Sequence, residues 1–174
     1  MRVPNVIGDW QECDGAHAGL RVRVHGVERA EPPRGREEAA EGLVYFRFRV
    51  TVENRAGTVR GVHLEDGQID VRTGGDGEGA VLDWRNSRFV EGFDLYPLRR
   101  ATAVVYAAAA ESSLGRLDVQ VQPRTDDDWG ERYLWAGAVG AAAGGPGPGG
   151  DASGERLVRQ VSRYLRREAE QGPG

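Results

Sequence analysis

The run Leu43-Val44-Tyr45-Phe46-Arg47-Phe48-Arg49-Val50-Thr51-Val52-Glu53-Asn54 decides the fold. Val44, Phe46, Phe48, Val50 and Val52 alternate with residues that are mostly polar or amphipathic. Successive side chains of a strand point to opposite faces, so this segment has one dry face and one wet face. The pattern predicts a central strand of a half-buried antiparallel sheet, and with it an all-β domain.

Segments on either side repeat the alternation. Leu20, Val22 and Val24 predict a strand over 20–25, and Asn54-Arg55-Ala56-Gly57 ends the long strand with turn residues. Pro32 and Pro33 cannot donate to a ladder, so 31–38 is predicted as a solvated loop. Residues 59–64 and 68–72 flank Glu65-Asp66-Gly67, and Asp-Gly between alternating segments signals a hairpin. A flexible polar loop follows at 73–79. Residues 80–95 hold apolar side chains in no clean period and predict a short strand with an irregular stretch. Further strands are predicted at 101–107, 117–122 and 133–139. About seven short strands between turn signals favour a sandwich or barrel.

The tail differs in composition. Gly140 to Gly154 is Gly-, Pro- and Ala-rich and predicts a flexible linker. Beyond it Leu157, Val158, Val161, Tyr164 and Leu165 fall at helical spacing, opposite Arg156, Arg159, Arg163, Arg166 and Arg167. Ser153 is a candidate N-cap. An isolated helix of this length is marginal in water, so the apolar stripe is expected to dock. It lacks Trp and Phe, which favours docking on protein over a membrane surface. The expected organisation is a sandwich over 1–139, a linker over 140–154 and an amphipathic helix over 155–171.

Composition excludes several kinds of chemistry. Lysine is absent and all 23 basic residues are arginine. With the Ala and Gly excess, this reads as the coding bias of a GC-rich genome of actinobacterial type. A net charge of −4 gives no reason to expect a nucleic-acid partner. Cys13 is the lone cysteine, so neither an intramolecular disulfide nor a multi-cysteine zinc site can form. The first residues lack an apolar leader region, and no window approaches the roughly 20 apolar residues of a membrane span. A soluble cytoplasmic protein is expected.

Candidate catalytic groups fare poorly. Asp126-Asp127-Asp128 could offer oxygens to a hard cation, but consecutive carboxylates converge only in an unusual loop, and a solvated acidic turn is expected. Asp76 and Glu78 would join them only if loops met. His17, His25 and His63 make no metal-ligand spacing, and His25 is expected to face water. Ser87, Ser112 and Ser113 sit in no nucleophile elbow. Cys13 and His17 are four apart, but Pro4, Gly8 and Gly15 argue against a helix that would pair them, so a buried, incidental thiol is expected. The Gly74-Gly75-Asp76-Gly77-Glu78-Gly79 loop is acidic where a phosphate needs donors. Trp10, Trp84, Trp129 and Trp135, with Tyr45, Tyr96, Tyr106 and Tyr133, could build a carbohydrate or peptide platform. Most of them are expected in the core, with Trp129, between Asp128 and Gly130, the best candidate for exposure.

The order of elements over about 18–124 resembles a bacterial immunoglobulin-like domain family of unknown function, often carried on secreted lipoproteins. The resemblance rests on the short opening strand at 20–25 and the long strand ending in Asn54. A strand–Asp-Gly–strand segment follows over 63–71. Leu95-Tyr96-Pro97 then precedes the paired strands at 102–107 and 117–121. The family usually has Pro-Gly where this chain has Pro97-Leu98, and Cys13 follows no apolar run of the lipid-attachment kind. The resemblance implies an immunoglobulin-like antiparallel β-sandwich with a binding role, and carries over no catalytic residue.

Together these features predict a non-enzymatic protein-interaction or adaptor module without cofactor or metal. Its partner would be a protein, docked through Leu157, Val161, Tyr164, Leu165 and Trp129. The alternatives are an exported or envelope-associated ligand-binding domain and a loop-based metal-dependent hydrolase.

Overall fold

The computed structural model describes residues 3–31, 42–126 and 128–140. In chain order the strands are β1 (Asn5–Val6), β2 (Trp10–Glu12), β3 (Leu20–Arg29), β4 (Leu43–Asn54), β5 (Arg60–Leu64), β6 (Ile69–Thr73) and β7 (Glu78–Gly79). They continue as β8 (Val81–Leu82), β9 (Val90–Leu95), β10 (Arg100–Ala110), β11 (Leu117–Val121), β12 (Arg124–Thr125) and β13 (Tyr133–Gly137). The first sheet runs β1-β13-β11-β6-β7, the second β2-β3-β4-β10-β8, and the third, smaller sheet β12-β5-β9. Pairing is antiparallel except for β1 beside β13. The fold is an all-β, antiparallel, sandwich-like arrangement of three sheets.

The alternation in sequence is the division between core and solvent. Leu20, Val22 and Val24 of β3, and Phe46, Phe48, Val50 and Val52 of β4, are buried. They meet Ile69 and Val71 of β6, Leu117, Val119 and Val121 of β11, and Trp135 of β13 in one cluster. Each such side chain taken from water contributes about 1.5–3 kcal/mol before the entropy of ordering it is subtracted. Ala103, Val105 and Ala107 of β10 stand opposite Val50, Phe48 and Phe46. The alanines leave room for the two phenyl rings, whose centroids lie 6.5 Å apart.

The structure corrects the hairpin expected across 65–67. β5 belongs to the third sheet and β6 to the first, and the two do not pair. Asp66–Gln68 forms one 3-10 turn, and the buried Gln68 accepts the Glu65 N–H on its side-chain oxygen at 2.6 Å. That bond turns the chain from one sheet to the other, so Asp-Gly here marks a change of layer. The strand expected at 20–25 continues to Arg29, because a bulge between His25 and Glu28 restores the register. Gly26 occupies the bulge with φ 62°, a conformation that favours glycine. The irregular stretch 80–95 holds β8 and β9. Gly140 pairs with Glu28, and the remainder of the expected linker and the tail helix, with Leu157, Val161, Tyr164 and Leu165, lie outside the described residues.

Asn54 ties the end of β4 to two other segments. Its side chain is buried. The Nδ2 group donates to the carbonyls of Thr58 and Leu95, each at 2.8 Å, and Oδ1 accepts the Ala56 N–H at 2.9 Å. Its backbone carbonyl accepts the Leu98 N–H at 2.7 Å.

Candidate functional site on the third sheet

The outer surface of the third sheet gathers the most chemistry among the described residues. On β5, Val62 and Leu64 face the core, so His63 between them faces outward. β12 pairs alongside and sets Arg124 opposite His63. The turn after β12 then carries Asp126 back over β5. His63 donates from Nε2 to Asp126 Oδ1 at 2.6 Å. Its Nδ1 lies 3.1 Å from the Gly92 N–H of β9 and 3.2 Å from Glu65 Oε1. The neutral ring, protonated on Nε2, accepts the Gly92 N–H; the protonated ring donates to Glu65 instead. The hydrogen bond to Asp126 holds His63 above its ordinary pKa, with Glu65 adding to it and partial burial and Arg124 opposing.

Gly61 makes this approach possible. A Cβ there would stand 1.7 Å from Asp126 Oδ2, so any other residue would force the carboxylate away. The missing side chain leaves a shallow, open cleft of about 330 Å³ between Val59, Arg60, Gly61, Asp94, Thr125 and Asp126. Beside it Trp129 bridges to Arg124, whose guanidinium lies 5.3 Å from the indole centroid. The Trp129 N–H donates to Asp128 Oδ1 at 2.8 Å, and the ring is 52% exposed.

The other groups singled out from sequence are dispersed. Asp126 and Asp128 do not converge: Asp126 engages His63, and the Asp128 carbonyl accepts the Thr125 N–H. Asp127 lies outside the described residues. No group of three or more His, Cys, Asp or Glu able to hold a metal occurs among the described residues. Cys13 is buried, and burial pushes its thiol up to about 12, which leaves it protonated and unreactive. His25 is on the outer face of its strand, half-buried, with Nε2 2.8 Å from Thr51 Oγ1. Burial, then the charges of Arg23 and Arg49, push it down to about 4.

The expectation that most of the eight aromatic rings sit in the core is corrected: Trp135, Tyr45 and Tyr133 are buried, and the others are not. Trp135 is fully buried and donates from Nε1 to the Asp9 carbonyl at 3.0 Å. Trp10 lies half-buried on the outer face of the second sheet, and Trp84, 41% exposed, packs against Phe89. The indoles at 84 and 129 sit in segments with no period to bury them. The pairing of His63 with Asp126 has no local sequence signal, although Gly61 two residues before an outward histidine is consistent with it.

No family model and no curated protein matches the sequence. Solved structures share the architecture. YjhA from Bacillus subtilis superposes with a TM-score of 0.51 at 15% identity, covering 75% of this chain and 97% of YjhA. MPT63, a secreted protein from Mycobacterium tuberculosis, gives 0.47 at 13% identity, with 78% and 97% covered. The "putative lipoprotein" YcdA from Bacillus subtilis gives 0.48 at 9% identity, with 66% of this chain covered. This chain spans 35% of YcdA. Identities this low speak to fold alone. They establish a β-sandwich shared with distantly related bacterial proteins, while the immunoglobulin-like family itself finds no matching family model.

The cytoplasmic expectation is corrected. Of these proteins, MPT63 is described as secreted and YcdA as a "putative lipoprotein". The lone cysteine does not bear on compartment, because a single buried thiol has no intramolecular partner to oxidise with in any compartment.

Proposed function

We propose that this β-sandwich is a protein-binding module that docks a partner on the outer surface of its third sheet. The observation that carries the proposal is Trp129, half exposed and stacked on Arg124, beside the fixed His63–Asp126 pair. Trp and Arg supply most of the binding energy in protein interfaces when neighbouring contacts exclude water around them. A bonded, pre-positioned surface loses little entropy on association. The open cleft over Gly61 is too shallow to enclose a small ligand and suits a protruding side chain. Binding rather than catalysis is favoured because both ring nitrogens of His63 are taken up by Asp126, Gly92 and Glu65, not by a hydroxyl or thiol.

The tail belongs to the same proposal. A helix over 155–171, presented on a linker over 140–154, would add Leu157, Val161, Tyr164 and Leu165 as a second contact, and linked contacts bind more tightly than either alone. An immunoglobulin-like origin is part of it too, supported by the strand that ends at Asn54 and the turn at Pro97.

The test is affinity capture with the full chain and with Trp129→Ala and Arg124→Ala, each first checked for an unchanged urea midpoint. Proteins retained by the wild type and lost from both variants support the docking surface. Equal recovery on all three rejects it. Truncation after residue 140 should retain the same proteins more weakly.

A further inference from the structure

The outward face of the second sheet carries a different device. β3 and β4 pair so that Arg21 stands opposite Glu53, Arg23 opposite Thr51 and His25 opposite Arg49; β10 adds Arg100 opposite Glu53. The carboxylates on this face are spoken for. Glu53 accepts from Arg21 at 2.8 Å and from Arg100 at 3.1 Å. Glu28 accepts from Arg47 Nε at 2.7 Å, and Glu12 lies between Arg21 and Arg55.

Arg23 and Arg49 are left over: neither has a carboxylate partner among the described residues. Arg23 Nε is buried and meets no acceptor among them. Arg23 is nonetheless held, and Arg49 has room prepared for it. Arg23 lies 4.6 Å from the Trp10 ring centroid, a ring that Arg21 also covers at 4.3 Å. Arg49 lies over Gly26 of the bulge, where a Cβ would stand 2.8 Å from its Nη1. His25, between the two, is engaged by Thr51, which bonds on to Thr102 at 2.8 Å. The result is a diagonal pair of unneutralised guanidinium groups on one outward sheet face, in a chain whose net charge is −4.

We propose that this face is an anion-recognition surface for an acidic polypeptide segment, with Arg23 and Arg49 each taking a carboxylate. Guanidinium matches carboxylate geometry in two-point contacts, and the Trp10 stack pre-positions Arg23, which reduces the entropy it loses on binding. The charge pattern favours a peptide over a nucleic acid. Glu12, Glu28 and Glu53 occupy the other arginines of this face, which leaves two guanidinium groups without a carboxylate, enough for two side-chain carboxylates and too few to follow a continuous phosphate backbone. This surface is separate from the one proposed for Trp129 and does not depend on it.

The test titrates the full chain with a fluorescein-labelled decaglutamate peptide at low and moderate salt, with decalysine and a short DNA duplex as comparators. Decaglutamate is expected to bind, to weaken as salt rises, and to lose about tenfold in affinity for each of Arg23→Gln and Arg49→Gln. Arg49→Gln leaves the Trp10 stack intact, so it serves as the reporter should Arg23→Gln unfold. Trp129→Ala should bind decaglutamate as the wild type does, so failure here and failure of the third-sheet surface are told apart. Unchanged affinity in Arg49→Gln, or tighter binding of DNA than of decaglutamate, overturns the proposal.

Discussion

Replacing Asn54 should cost this domain more than any surface contact, and the two simplest replacements should rank against intuition. Asn54→Ala removes three hydrogen bonds, to Thr58, Leu95 and Ala56, each worth about 1 kcal/mol net. The Leu95 carbonyl is then left inside without its donor, which adds about 1–3 kcal/mol. The expected loss is about 4–6 kcal/mol. At this chain length that corresponds to a fall in Tm of roughly 8–24 °C. Asn54→Asp is nearly isosteric and keeps the oxygen that accepts from Ala56. Its second oxygen, however, replaces an NH2 that donated to two carbonyls, so at neutral pH acceptors face acceptors. Asn54→Asp should therefore be at least as destabilising as Asn54→Ala at pH 7. The new carboxyl would have its folded pKa raised above the unfolded value, so its neutral form is favoured, and the deficit should shrink on acidification as the protonated acid regains one donor. Urea unfolding followed by tryptophan fluorescence measures both. A loss below about 1 kcal/mol in both variants, or a milder Asn54→Asp at pH 7, would refute the reasoning.

Three further outcomes are expected. Gly61→Ala should push Asp126 off His63 and let the imidazole pKa fall back toward its ordinary value, read by NMR titration; an unmoved pKa would show that the bond to Asp126 is not its cause. The two outward histidines should shape pH stability in opposite directions. His63, raised in the folded state, contributes stability that is present below about pH 6.5 and lost as pH rises through its folded pKa; His25, depressed to about 4, contributes stability present above about 6.5 and lost as pH falls toward 4. Urea midpoints of His63→Gln and His25→Gln against the wild type across that range should diverge with those signs. Cys13 should react with a thiol reagent such as DTNB only when the domain opens, so fast labelling of folded protein would contradict its burial and raised pKa.

The sequence carried the central strands well because their signal is local. β4 has the bounds that its alternation predicts. Leu20, Val22, Val24, Phe46, Phe48, Val50, Val52, Ile69, Val71, Leu117, Val119 and Val121, the alternating apolar residues of β3, β4, β6 and β11, are buried, joined by polar neighbours such as Thr51, Glu53 and Asp118 that the period alone would place in water. The signal fades where side chains are mute: Ala108, Ala109 and Ala110 lengthen β10 without advertising a period, and two-residue strands such as β1 and β12 are too short to have one. Sheet membership was not legible at all. Nothing in 59–72 says that β5 and β6 separate into different layers, because that choice is made by what each strand buries against, not by the turn between them.

The same distinction explains the site. Trp129 could be picked out, since a ring between Asp128 and Gly130 has no strand to bury it. His63 and Asp126 could not be paired, because they meet only through β12, whose pairing with β5 is set by long-range packing. Pro97-Leu98 shows the limit from the other side. Tyr96 accepts the Arg99 N–H to close a four-residue turn whose third position, Leu98, has φ 61° and is 75% exposed. Such a turn favours glycine there, and holding an L-residue in this conformation costs about 1–2 kcal/mol. The departure from Pro-Gly was visible as two letters. The turn persists because the Asn54 backbone grips its closing half, its carbonyl accepting the Leu98 N–H and its N–H donating to the Arg99 carbonyl, while the Asn54 side chain fixes the Leu95 carbonyl just before the turn. The strain is held by the backbone of the residue whose side chain the first prediction removes.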